Sequence, residues 1–62
     1  MPTIQVTMAE GRTAEQKRNI ARRLTEVMTD ELSIPAEKIL VFIYELEKDH
    51  IARGGVLLSD TE

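Results

Sequence analysis

Few side chains in this sequence can move a proton or attack a bond, so the candidates can be weighed one at a time. There is no cysteine and a single histidine, His50. Histidine is the common acid or base near neutral pH, but His50 follows Lys48 and Asp49 in a turn-like segment, the setting of a solvated surface residue. Ser33 and Ser59 carry no motif of an activated nucleophile. Gly54 and Gly55 lack the strand-to-helix setting of a phosphate loop and read as a hairpin turn.

Pro2 is a candidate of another kind. Removal of Met1 is expected before a small second residue, and it exposes a secondary amine at the start of a strand. Ordinary α-amino groups titrate at about 7.7–8.0, and partial burial or nearby arginines push such an amine toward its free-base form. The rigid ring also fixes the direction of the lone pair. The competing reading is a proline that starts an edge strand where no N–H is needed. Arg12 stands at the turn after that strand, where its planar fork can receive a carboxylate beside a helix amino terminus, or simply be solvated. Arg53, beside Gly54, has the same two readings. An amine base with carboxylate-binding arginines suits proton transfer next to a carbonyl on a small acidic substrate, with no metal or organic cofactor.

The elements that must position these residues follow from periodicity. From Thr3 to Met8 the chain alternates, with Ile4, Val6 and Met8 on one side, the period of a half-buried strand. Gly11 supplies a turn, and Thr13 with Gln16 three residues later matches a capping box. Ile20, Leu24, Val27, Met28 and Leu32 then recur at helical spacing, while Lys17, Arg18, Arg22, Arg23 and Glu26 fall largely on the remaining faces. The helix should stop near Ser33, because Pro35 cannot continue it. A nearly unbroken apolar run from Ile39 to Leu46 predicts a second, interior strand, parallel to the first in a right-handed β-α-β unit. Lys48 to His50 break that strand, and Val56 to Leu58 suit a short strand in a C-terminal β-hairpin. The fold class is α+β, in one domain over residues 1–62.

Sixty-two residues make a small core, and chains of this size are usually held by disulfides, a metal or partner chains. Without cysteine, and with one histidine, neither a disulfide framework nor a structural zinc site can be built. Partner chains remain. One helix covers one face of a two-stranded sheet, so the second strand leaves apolar residues for other copies to cover. The composition, 42% hydrophobic and 31% charged, is that of a folding chain. A net charge of −3 with interspersed signs argues against nucleic acid, and no segment is long and apolar enough to span a membrane or act as a signal peptide. The expected location is the cytoplasm.

Met1-Pro2-Thr3-Ile4, Glu10-Gly11-Arg12-Thr13 with Glu15-Gln16-Lys17, Val41-Phe42-Ile43-Tyr44-Glu45, and Lys48-Asp49-His50 with Gly54-Gly55 together resemble the 4-oxalocrotonate tautomerase family, over the whole chain. The resemblance implies β-α-β subunits pairing into dimers, three dimers making a hexamer, and sites built between subunits. It implies enol–keto interconversion, typically of 2-hydroxymuconate and 2-oxo-3-hexenedioate, with Pro2 as the shuttling base and Arg12 on a substrate carboxylate. Two positions depart from the family pattern: Leu40 stands where an arginine polarises the carbonyl oxygen, and Ile51 where an aromatic lies. Loss of such a cation costs on the order of 3 kcal/mol of transition-state stabilisation, and Arg53 is the residue near Ile51 that offers a replacement.

Other readings of the same residues are hydration, dehalogenation or decarboxylation of related acids, and a low-activity subunit of a mixed hexamer whose partner supplies the arginine. A ribbon-helix-helix DNA binder also begins strand then helix, but no basic residue precedes Arg12.

Overall fold

The computed structural model describes residues 1–61. Strand β1 (Thr3–Ala9) leads through Gly11, whose positive φ of 117° suits glycine, into helix α1 (Ala14–Leu32). A 3-10 turn over Ala36–Lys38 precedes strand β2 (Leu40–Leu46). The two strands pair in parallel from Thr3 opposite Leu40 to Ala9 opposite Leu46. A second 3-10 turn (Lys48–His50) leads to an antiparallel hairpin of β3 (Ala52–Arg53) and β4 (Val56–Leu57). The β-α-β unit and the hairpin are therefore those expected. Leu58 does not extend the last strand but opens a further 3-10 turn.

Helix α1 begins as its sequence dictates. Thr13 Oγ1 accepts the Gln16 N–H and Gln16 Oε1 accepts the Thr13 N–H, both at 3.0 Å, so two amino-terminal donors are satisfied reciprocally. At the other end Ser33 adopts the left-handed region, φ 54°, and its N–H reaches the Thr29 carbonyl. Pro35 follows at the distance that stops a helix.

The helix lies on the face of the sheet formed by Ile4, Val6 and Met8 with Val41 and Ile43, all half-buried. Lys17 belongs to this buried side rather than the solvated one: its Nζ lies 2.8 Å from Glu45 Oε1, tying the first turns of α1 to β2. Val27 and Leu32, at the margins of the apolar stripe, are exposed instead. The only residue in the buried class among those described is Ile39, which ends the 3-10 turn just before β2 instead of starting the strand.

The opposite sheet face is bare. Leu40, Phe42 and Tyr44 alternate along β2 at 41%, 41% and 46% exposure. The tail also stands away from the rest, packing mainly on its own turns. The radius of gyration is 14.8 Å, against about 11 Å for a compact chain of this length. No helix among the described residues is long and apolar enough to cross a membrane.

Thr13→Ala removes half of the capping box. It is expected to cost about 1 kcal/mol, seen as a thermal midpoint lower by roughly 4–8 °C; an unchanged midpoint would mean the box does not hold the helix start.

Candidate active site

Pro2 sits at the mouth of β1, half-buried, and is anchored there by its own backbone: its carbonyl accepts the Leu40 N–H at 3.2 Å. The fixed φ of proline costs nothing at this position, because the ladder asks for an acceptor and no donor. Met1 before it is 80% exposed and open to removal. Strand parity puts Pro2 on the helix side with Ile4, while Leu40 points to the bare face with Phe42 and Tyr44. The two neighbours along the ladder thus face away from each other.

Arg12 lies beyond the other end of β1. Seven strand residues at about 3.3 Å each separate it from Pro2 by roughly 20 Å or more, further than a small acid can bridge. Within one chain Pro2 and Arg12 therefore cannot touch the same small ligand. Arg12 lines an open groove of about 390 Å³ together with Met8, Gln16, Asn19 and Ile20. Met8 and Ile20 make an apolar floor; Arg12, Gln16 and Asn19 make a polar rim. Among the described residues the Arg12 guanidinium has no ion-pair or hydrogen-bond partner, so its donors are free for an anion.

Ile51 and Arg53 occupy the tail. Ile51 is half-buried and its carbonyl accepts the Leu58 N–H at 2.8 Å, closing the hairpin. Arg53 pairs with Val56 across the ladder and shares the side of Ile51 by strand parity. It too lacks a partner among the described residues. Arg53 thus belongs to the tail hairpin, which pairs with itself and not with β1. His50 is exposed in its 3-10 turn, its Nε2 3.7 Å from Asp49 Oδ1, as a solvated histidine should be.

Gln16 and Asn19 were not singled out as ligand-facing from the sequence, where Gln16 reads as a cap only. The signal was the spacing of 16, 19 and 20, which puts one amide, a second amide and an isoleucine on one edge of α1 beside the Arg12 turn.

A single chain holds the parts of a site without assembling them, and comparison with known proteins gives the parts a context. The family model described as tautomerase enzyme matches residues 2–61. A 2-hydroxymuconate tautomerase of Bacillus subtilis (strain 168) is 50% identical over 62 residues, 100% of both chains. The crystal structure of a 4-oxalocrotonate tautomerase homologue superposes with a TM-score of 0.94 at 47% identity, covering 100% of this chain and 98% of its own. A heterohexamer 4-oxalocrotonate tautomerase from Chloroflexus aurantiacus J-10-fl gives 0.89 at 29% identity, over 100% of each chain. With the parallel β-α-β unit and the antiparallel tail already in place, these matches leave one assignment: the chain belongs to the tautomerase family and is an isomerase.

Proposed function

We propose that the chain is a cofactor-independent enol–keto tautomerase acting on a small unsaturated 2-hydroxy or 2-oxo acid such as 2-hydroxymuconate. The observation that carries this reading is the unpartnered Arg12 guanidinium over an apolar floor, in a chain whose first strand begins at Pro2. Once Met1 is removed, the Pro2 nitrogen is a secondary amine. It takes the proton of the 2-hydroxyl group as the carbonyl forms and returns it to a carbon of the conjugated chain, so no proton is gained or lost overall. Arg12 holds a substrate carboxylate and fixes the distance over which that proton travels. Among the described residues, the lining of the groove in one chain includes no carboxylate.

Because Pro2 and Arg12 lie at opposite ends of one strand, the working site takes them from different copies. The bare face of Leu40, Phe42 and Tyr44 supplies the contact: covering these side chains, 41–46% exposed, contributes a part of the roughly 1.5–3 kcal/mol that full burial of each is worth. A hexamer of three dimers fits this surface, as a homohexamer. A mixed hexamer is the alternative, because the Chloroflexus relative is a heterohexamer. No cation stands at position 40, and Arg53, unpartnered in the extended tail, is the residue offered in its place.

Pro2→Ala is expected to lower enol-to-keto conversion of 2-hydroxymuconate by orders of magnitude in protein whose intact mass shows Met1 removed; an unchanged rate would sink the proposal. Co-expression of Pro2→Ala chains with Arg12→Ala chains should restore activity to about a quarter of the sites in random assemblies of identical copies, whereas a site confined to one chain would stay inactive. Phe42→Glu should shift the native mass spectrum from the assembled species to smaller ones, and an intact assembly would show that this face is not the contact.

A further inference from the structure

The side-chain amide of Gln16 has one end committed to the helix and one end that the helix does not use. Its Oε1 accepts the Thr13 N–H at 3.0 Å, so the group it can turn toward a ligand is Nε2, which only donates. Among the described residues no acceptor meets that nitrogen. Asn19, further along the rim, has its Oδ1 turned toward Arg22 Nη2 at 3.4 Å. The rim of the groove is thus donors and one cation.

The choice of Gln over Glu at this position is informative. Glutamate fills the same place in a capping box, and its charge in the first turn would interact favourably with the helix dipole. Helix stability alone favours Glu. A carboxylate there would also pair with Arg12 and repel an incoming acid, whereas the neutral amide leaves the guanidinium free and adds donors beside it.

We propose that Gln16 is a specificity-determining residue, its Nε2 donating to the substrate carboxylate held by Arg12, so that the groove selects acids bearing a carboxylate remote from the reacting enol. The proposal rests on the tautomerase reading of the Arg12 groove. Two variants separate binding from capping. Gln16→Glu keeps the acceptor for Thr13 N–H and replaces the donor with an anion; Gln16→Met removes both. KM and kcat are measured for 2-hydroxymuconate and for the monocarboxylate 2-hydroxypenta-2,4-dienoate, with calorimetric binding of cis,cis-muconate and thermal midpoints of the assembled protein. Gln16→Glu is expected to raise KM for 2-hydroxymuconate and Kd for cis,cis-muconate about tenfold or more, with a smaller rise in KM for the monoacid and a thermal midpoint no lower than that of the unsubstituted protein. A merely structural role predicts the opposite, a wild-type Gln16→Glu and an impaired Gln16→Met, and that result overturns the proposal, as does an equal rise in KM for both enols. If the unsubstituted protein turns over neither enol, the function proposed above fails while the muconate Kd values still decide the role of Gln16; absence of muconate binding to the unsubstituted assembly overturns this inference too.

Discussion

A two-stranded sheet has two faces, and the connection between two parallel strands supplies one helix, which can cover only one of them. The face under α1 is closed by Ile4, Val6, Met8, Val41 and Ile43 and clamped by the ion pair of Lys17 with Glu45. The other presents Leu40, Phe42 and Tyr44. Exposed apolar residues placed singly need no explanation, but three in register on one strand form a surface whose stability is completed from outside the chain. Ile39, the single buried residue among those described, makes the same point from within.

Strand length is the second half of this constraint. β1 is long enough to set Pro2 and Arg12 beyond its two ends, so the two lie far apart within one copy. In the proposed function, the same strand that defines the core thereby divides the chemistry between copies. The bare face and the divided site are one geometry seen from two sides: surface that must be covered, and functional groups that must be brought from elsewhere.

Much of this architecture was legible in the residues. Alternation from Thr3 to Met8 marks the strand, Thr13 with Gln16 marks the helix start, and Pro35 marks its end. What escaped reading depended on angles and partners that a linear pattern does not carry. Lys17 counts as a polar surface residue until Glu45 appears across from it in the sheet register. Val27 and Leu32 match the apolar spacing, yet their exposure depends on how far the stripe wraps beyond the width of two strands. Of the site, Pro2, Arg12 and Arg53 were visible as residue types, but the separation of the first two was not, because it is fixed by the length of β1 once formed. The groove was invisible for another reason: Gln16 serves the helix with one atom, and a residue with an evident job does not advertise a second.

The extended tail has a consequence for quantity as well as shape. In the proposed assembly, a chain whose C-terminal hairpin lies outside its own core, with a radius of gyration of 14.8 Å, draws part of its stability from its partners, and by mass action that stability rises with the amount of chain present. Output then scales with expression more steeply than in simple proportion. In that proposed assembly, a cell making half as much of this chain would lose more than half of its working sites when the concentration lies near the assembly midpoint, and one making ample amounts would lose only half.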